Sequence, residues 1–211
     1  IRDVERSRGL GDVYKRQEFT VNNKQTHSQT LLPMIDQVVT MSGIDLKEID
    51  AIATTSGPGS FTGLRIGAAT AKGLGLALHK PIVPITTLEA LAFRLAGREG
   101  NICPMMDARR NQVYAGVYRV GDMLLECVTG QKAVSIEDYI AELNDLGDPV
   151  TVLGDGVPVH REALQQGLNV AWQEAPAHMN RQSAASVAVL GARYYDCLLY
   201  TSPSPRDLST S

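Results

Sequence analysis

The sequence predicts a two-lobed α/β protein. In the first half of the 211-residue chain, short apolar strands alternate with amphipathic helices, which is typical of sheets that carry helices on their faces. A hairpin-rich stretch follows, and a second alternation of strand and helix comes after it. Gly97 and Gly100 mark the predicted break between the two lobes.

The first predicted elements are a strand and a helix. Glu18–Asn22 alternates like a short strand. Apolar residues then recur at i, i+1, i+4, i+7 and i+8, which places them on one face of a helix. They are Leu31, Leu32, Ile35, Val38 and Val39. Because proline is tolerated only near the first turn, we expect the regular helix to begin close to Pro33.

A second helix is predicted at Phe61–Leu78, after a buried strand at Ile49–Thr55 and a glycine-rich loop. Small residues recur at every fourth position of this helix. They are Gly63, Gly67, Ala71 and Gly75. Each glycine costs about 1 kcal/mol of helix propensity relative to alanine, so we expect close packing of another element to offset that cost.

The remaining predicted elements continue the alternation. Strands are expected at Ile82–Ile85, Ile102–Asp107, Gln112–Val120, Met123–Val134 and Val150–Leu153. Helices are expected at Thr86–Ala96, Ser135–Leu143 and Gln182–Tyr195. No element is predicted for residues 154–181.

Both ends of the chain lack an apolar period. We interpret residues 1–17 and 197–211 as non-native tails that do not pack on the body, with a native basic arm at residues 1–17 as the alternative. Lobe one then comprises residues 18–97 plus 180–196, and lobe two comprises residues 98–179.

Charge and composition exclude several classes of protein. The whole chain has a formal net charge of −3, and the predicted tails hold six basic and four acidic residues, which leaves −5 on the body. Such an acidic body is not typical of a nucleic-acid binder acting alone. No apolar run approaches the roughly 20 residues of a membrane helix. The three cysteines form no CxxC pair, so we expect a reduced, cytoplasmic protein with no membrane attachment.

The loop that begins the second predicted helix allows two interpretations. An anion can bind where a strand ends, glycines follow and a helix begins. On this interpretation, the residues of the ligand loop are Gly57, Gly59, Ser60 and Thr62. The segment nevertheless lacks the third glycine of the dinucleotide fingerprint and the Gly-Lys step of a P-loop. The favoured interpretation is therefore a turn whose glycines let the helix pack closely.

Other charged residues also leave alternatives open. Asp107, Arg109 and Arg110 either bind a carboxylate or phosphate, or close a hairpin in which Asp107 accepts from turn amides, and the hairpin is favoured. Arg65 is either solvated or paired with a carboxylate at an interface. The four histidines are scattered, so we predict no metal site and no catalytic set.

Four segments together carry a family resemblance. The segments HSQTLLPMID, SGPGSFTGLRIG, TTLEALA and DARRNQVYAG, in this order and spacing, resemble the TsaB (YeaZ) family of the actin-like, sugar-kinase and Hsp70 superfamily. The resemblance spans nearly all of residues 18–196. It implies a two-lobed actin-like (ASKHA) fold with RNase H-like lobes. The family opens with a strand hairpin that residues 1–17 do not show, so lobe one is expected to lack it.

The resemblance also implies a function and partners. The function is a role in making N6-threonylcarbamoyladenosine at position 37 of tRNAs that read codons starting with A. The implied partners are the TsaD paralogue, as a heterodimer, and the ATPase TsaE, with a homodimer as the alternative pairing. The tRNA would be reached only through the complex. ATP and metal are expected on the partner subunits, with no cofactor on this chain.

One comparison within the superfamily implies a non-catalytic subunit. The catalytic paralogue carries an HxxxH metal pair on the helix that follows the strand resembling Ile82–Ile85. The corresponding residues here are Thr87 and Leu91, and leucine cannot ligate a metal. A peptidase-like or transferase enzyme of the glycoprotease family and a stand-alone nucleotide-binding module are the alternative functions.

The last expectation is a partner interface on the first two helices. Its predicted residues are Leu31, Leu32, Ile35, Val39, Gly63, Arg65, Gly67, Ala71 and Gly75. We expect the two helices to lie side by side and to present one exposed face. Two copies of the chain, or one copy and the paralogue, would then make a four-helix contact.

Overall fold

The computed structural model describes residues 18–20, 27–120 and 125–201, and these residues form two compact units. The first unit holds the described residues up to Ser56, Ser60–Ile85 and those from Val187 onward. The second unit holds Gly57–Gly59 and Thr86–Ser186. The boundary thus lies at Thr86, eleven residues before the predicted break.

The described part of the chain contains six α-helices and seven strands. The helices are α1 (His27–Ser42), α2 (Phe61–Leu78), α3 (Thr87–Ala92), α4 (Ile136–Leu146), α5 (Gly156–Gly167) and α6 (Ala184–Thr201). The strands are β1 (Ile52–Gly57), β2 (Ile82–Thr86), β3 (Asn101–Arg109), β4 (Gln112–Val120), β5 (Leu125–Ser135), β6 (Val150–Leu153) and β7 (Trp172–Glu174). Single 3-10 turns lie at Leu46–Glu48, Phe93–Leu95 and Ala177–Met179.

The first unit pairs β1 with β2 in a two-stranded sheet and packs α1 against α2. Helix α2 has the predicted bounds because Ser60 caps it, its Oγ accepting from the Gly63 amide at 3.4 Å. Helix α1 is confirmed, but it begins at His27, so Pro33 lies in its second turn rather than at its start. Glu18–Thr20 are in no regular element, and the rest of that predicted strand lies outside the described residues.

Helix α6 lies close against β1. A Cβ added at Gly191 would overlap the Cβ of Ala53, so only glycine allows this distance between helix and strand. The helix continues to Thr201, four residues past the predicted start of the second tail at residue 197. Apart from those helical residues, the predicted tails lie outside the part of the chain that the structure describes, as does the expected absence of a leading hairpin.

The second unit is built on a five-stranded mixed sheet with the order β5-β4-β3-β6-β7. Strands β3, β4 and β5 form an antiparallel meander, whereas β6 runs parallel to β3 and β7 runs parallel to β6. Strand residues alternate between two cores on opposite faces of this sheet. Cys103 and Val152 belong to one core, and their neighbours Ile102 and Leu153 belong to the other.

Helices cover both faces of that sheet. Helices α4 and α5 bury Tyr139, Leu143 and Leu164 in the first core. Helix α3 buries Leu88 and Leu91 in the second. Because α3 is part of this core, it belongs to the second unit, and this packing moves the unit boundary from the predicted position to Thr86.

Residues 154–181 hold elements that the sequence analysis did not predict. Helix α5 buries Val157, His160 and Leu164, which lie at i, i+3 and i+7. A helical period was therefore present in the sequence, but it was not recognised because one of its positions is a histidine. Strand β7 is only three residues long, too short for any alternation to show. Among the described residues, none of the helices has the length and hydropathy that a membrane span requires.

Candidate partner interface and loops

Exposed apolar side chains are concentrated on α1 and α2. Of the seven exposed large hydrophobic residues in the described part of the chain, four lie on these two helices. Their exposed fractions are 55% for Leu32, 64% for Met41, 74% for Phe61 and 78% for Leu76. Single exposed apolar residues are ordinary, but several on two packed helices make these helices a candidate interface.

The apolar residues predicted on one face of α1 divide between residues that pack on the unit and residues that are exposed. Leu31, Ile35 and Val39 are half-buried, while Leu32 is exposed. None of the residues from Ser28 to Ser42 is fully buried. Helix α1 therefore covers the unit on one side only and leaves apolar area free on the other.

The small residues of α2 divide into two groups. Ala71 and Gly75 are buried, and a Cβ at Gly75 would lie 3.0 Å from the Lys80 carbonyl oxygen and 3.3 Å from Cγ1 of Ile82. Gly63 and Gly67 are half-buried, and a Cβ at Gly67 would meet nothing within 4 Å. The close approach at Gly75 is thus to the loop and strand that follow the helix. Ala71 and Gly75 serve packing inside the unit, which differs from the exposed role expected for them.

Arg65 is exposed and lies over an aromatic ring of its own helix. Its guanidinium carbon is 5.2 Å from the centroid of the Phe61 ring, one helical turn earlier. Such a cation–π contact holds both side chains in place on the surface. Arginine and aromatic residues are the types that most often anchor protein interfaces.

The glycine-rich loop has the features of the turn interpretation. Gly57 has a φ of 115°, which glycine adopts far more readily than other residues. The Ser60 hydroxyl already accepts from the helix at Gly63. Gly59 is half-buried and Thr62 is exposed. These residues shape and cap the start of the helix.

The hairpin interpretation of Asp107, Arg109 and Arg110 is confirmed. Strands β3 and β4 pair across Arg110 and Asn111, and Asp107 Oδ1 accepts from the Arg109 amide at 3.0 Å. Arg109, Arg110 and Asn111 have φ values of 65°, 52° and 59°. This left-handed conformation costs roughly 1–2 kcal/mol for a residue with a Cβ, although asparagine tolerates it well.

The structure also brings together a polar cluster that sequence reasoning missed. His160 Nε2 is buried, has no hydrogen-bond partner and lies 3.8 Å from Asp107 Oδ1. The Asp107 amide donates to Asp155 Oδ1 at 3.3 Å. Asp155, two residues after the end of β6, was the available signal in the sequence, but its partner Asp107 is 48 residues away along the chain.

The two positions that correspond to the metal pair of the catalytic paralogue are both buried. Thr87 is 5% exposed and Leu91 is 1% exposed, and both lie on α3. Beside them, burial raises the pKa of Tyr118 to about 12, and a hydrogen bond with Thr86 partly offsets that rise. No group of three His, Cys, Asp or Glu residues in the described ranges is arranged to hold a metal ion. The donor types at this place do not fit a metal centre.

Comparisons with known proteins point in one direction. A family model described as "TsaD: tRNA N6-adenosine threonylcarbamoyltransferase" matches residues 18–199. The protein "tRNA threonylcarbamoyladenosine biosynthesis protein TsaB" of Bacillus subtilis is 31% identical over 174 residues, which cover 82% of this chain and 76% of that protein. A "tRNA N6-adenosine threonylcarbamoyltransferase" of Zymomonas mobilis is 45% identical over 155 residues, 66% of this chain but only 39% of that protein.

Solved structures show the same fold. "YeaZ from Pseudomonas aeruginosa" superposes with a TM-score of 0.65 and 24% sequence identity, over 83% of this chain and 80% of that one. The mixed α/β fold of two units is therefore the fold of the solved YeaZ structure. It is also the fold that the resemblance implied.

Proposed function

This chain belongs to the TsaB (YeaZ) family of tRNA threonylcarbamoyladenosine biosynthesis proteins, and on that premise we propose that it is a non-catalytic partner subunit. The complex it serves makes N6-threonylcarbamoyladenosine at position 37 of tRNAs that read codons starting with A. The observation that carries the proposal is the set of exposed apolar side chains on α1 and α2, which are Leu32, Met41, Phe61 and Leu76. We call these four residues the helical face.

The helical face fits a protein partner better than a small ligand. Its residues stand out from two packed helices, whereas ligand sites are concave and enclosed. The open space at Gly67 would let a helix of the partner come close to the backbone of α2. Arg65, held over Phe61, would supply a charged group at the rim. We therefore assign the helical face to the TsaD paralogue.

The other roles follow from this assignment. Thr87 and Leu91 stand where the paralogue has histidines, so the transfer chemistry belongs to the paralogue. This chain then needs no cofactor of its own, and ATP and metal bind to the partner subunits. The ATPase TsaE joins the assembled pair. A homodimer through the same face would compete with the heterodimer. All of these events take place in the cytoplasm.

The test is co-purification of this chain with TsaD, with variants of the helical face. Leu32→Ser and Leu76→Ser each remove an exposed apolar side chain without opening a cavity, so the free chain should keep its stability within about 0.5 kcal/mol. We expect the double variant to bind TsaD at least about ten-fold more weakly, as expected when two central apolar contacts are lost.

Val159→Ser is the matched control. Val159 is also an exposed apolar residue, but it lies on α5 of the second unit, and its variant should bind TsaD like the unaltered chain. If the helical-face variant binds TsaD as tightly as this control, the face is not the interface. If the unaltered chain does not bind TsaD at all, the partner role itself is wrong.

A further inference from the structure

The tip of the β3–β4 hairpin carries two neighbouring arginines without an ion-pair partner. Arg109 and Arg110 are exposed, and neither takes part in the ion pairs found in the described residues. Arg119 and Arg161, in the same unit, each bind a carboxylate, at 2.9 and 2.7 Å. Within the described ranges, Arg109 and Arg110 are the one pair of adjacent residues that are both arginine or lysine, so their charges add at a single place.

The backbone at this tip would suit glycine or asparagine better than arginine. A two-residue hairpin loop with positive φ at both positions is usually Asn-Gly or a similar pair. Here Arg110 stands at the first of these positions, and Arg109 precedes it with a φ of 65°. The pairing register also shifts between Asp107 and Arg109. A costly residue kept at such a position is typical of a functional site.

The surrounding groups hold the tip in place and leave the guanidiniums free. Asn111 Nδ2 donates to Glu137 Oε1 at 2.7 Å, and the Asn111 carbonyl accepts from the Ile136 amide at 3.1 Å. On the other strand, Asp107 accepts from Arg109, and its own amide donates to Asp155. The nearby carboxylates are therefore engaged in holding the hairpin, and a bound anion would not have to order the loop first.

We propose that this tip, defined by Arg109 and Arg110, binds phosphate groups of the tRNA backbone. This inference rests on the proposed function, since it takes the substrate of the complex as the ligand. Two neighbouring guanidiniums carry the charge that phosphates attract, and arginine binds phosphate through two parallel hydrogen bonds. A chain with a net charge of −3 repels RNA, so it needs a local pair of free cations where RNA passes.

The experiment compares two double variants with the same change in net charge. Arg109→Gln/Arg110→Gln removes the free pair, and Arg119→Gln/Arg161→Gln removes two arginines that are already paired. Each variant is mixed with TsaD, complex formation is measured first, and tRNA binding by the complex is then titrated from 50 to 300 mM salt. Both are also titrated with tRNA in the absence of TsaD at low salt. Arg109→Lys/Arg110→Lys keeps the charge but not the forked geometry.

We expect the tip variant to form the complex normally and to bind tRNA more weakly. Each lost phosphate contact makes the slope of log K against log salt less steep by about 0.9. If two contacts are lost and the variants bind equally at 1 M salt, the tip variant binds tRNA about 60-fold more weakly than the unaltered chain at 0.1 M salt. The paired-arginine variant should bind tRNA like the unaltered chain, and the lysine variant should keep the slope with intermediate affinity.

Three results would overturn the inference. The first is an unchanged salt slope and affinity in the tip variant. The second is an equal loss in both double variants, which would mean that only overall charge matters. The third is weaker TsaD binding with unchanged tRNA binding, which would assign the tip to a carboxylate of the partner protein. If the unaltered chain forms no complex, the proposed function fails. In that case, weaker tRNA binding by the tip variant than by the paired-arginine variant at low salt would still support the tip, and equal binding by the two would reject it.

Discussion

Alanine substitutions at two glycines of α2 should differ in their effects on stability. Gly67 and Gly75 lie eight residues apart in α2, and each costs about 1 kcal/mol of helix propensity relative to alanine. A Cβ at Gly67 meets nothing within 4 Å, so Gly67→Ala should recover most of that amount. At Gly75 the Cβ would lie 3.0 Å from a backbone oxygen, and overpacking of this kind costs roughly 1–3 kcal/mol. The two variants should therefore differ by about 1–3 kcal/mol.

The assay is urea unfolding of the free chain, followed by circular dichroism. Gly67→Ala should raise the midpoint, and Gly75→Ala should leave it unchanged or lower it. Gly73→Ala is the control for helix propensity alone, because that position is exposed and a Cβ there also meets nothing within 4 Å. A loss of stability in Gly67→Ala, or a gain in Gly75→Ala equal to the control, would refute the reasoning.

The same glycine links stability to partner binding. Gly67→Leu adds a large side chain in the open space beside the helical face, so the free chain should remain folded. If a helix of TsaD packs close to α2, this variant should bind TsaD about ten-fold or more weakly, whereas Gly67→Ala should bind nearly as well as the unaltered chain. Equal TsaD binding by both variants would mean that no helix of TsaD packs close to Gly67.

Four further outcomes are expected. Gly154→Ala should lose more than about 3 kcal/mol of stability, because its φ is 112° and the added Cβ would overlap the Met105 carbonyl oxygen. Cys103 should react with thiol reagents only on unfolding, since burial raises its pKa to about 12, partly offset by a hydrogen bond with Tyr139. The hydrogen bond from Arg161 lowers the pKa of Glu174, so this pair should stabilise the fold at neutral pH and lose that effect as pH falls through the lowered pKa. The isolated chain should purify without stoichiometric zinc or iron and should not cleave peptides.

Each of these outcomes has a control. Gly147 ends α4 in the left-handed conformation, and a Cβ there would meet nothing within 4 Å. Gly147→Ala therefore measures the cost of a positive φ alone, and the additional loss in Gly154→Ala is the cost of the steric overlap. The exposed Cys127 should react before unfolding, and equal rates for both thiols would contradict the burial argument. Glu174→Gln should reduce the difference in stability between neutral and acid pH, and an unreduced difference would assign the effect to other groups. Metal analysis of the purified chain that finds one equivalent of zinc or iron would reject the non-catalytic reading.

Most helices and strands were predictable because their signals are local. Helix α2 was predicted with its observed bounds, since Ser60 is a good capping residue and the apolar pattern ends near His79. Strand β6 was also predicted with its observed bounds, as a short apolar run. The hairpin at Asp107 followed from the turn preferences of its own residues. In all of these cases the information lies within a few residues of the element.

The candidate interface was predictable only in part. The apolar and small residues of α1 and α2 indicated which helices would carry it, but the apolar pattern did not predict the exposure of Met41, Phe61 and Leu76. It also did not show that Ala71 and Gly75 are buried inside the first unit. A periodic pattern defines a face of a helix, whereas the neighbours of that face depend on how other elements pack.

The sequence by itself therefore determined the family, the α/β class and the elements with local signals. Only the tertiary structure decided the contacts between residues far apart in the chain. It placed α3 in the second unit, brought His160 within 3.8 Å of Asp107, and set the Met105 carbonyl against Gly154. The physical reason is that hydrogen-bonded turns and helical periods act over a few residues, while burial and ion pairing depend on distances that the whole fold sets.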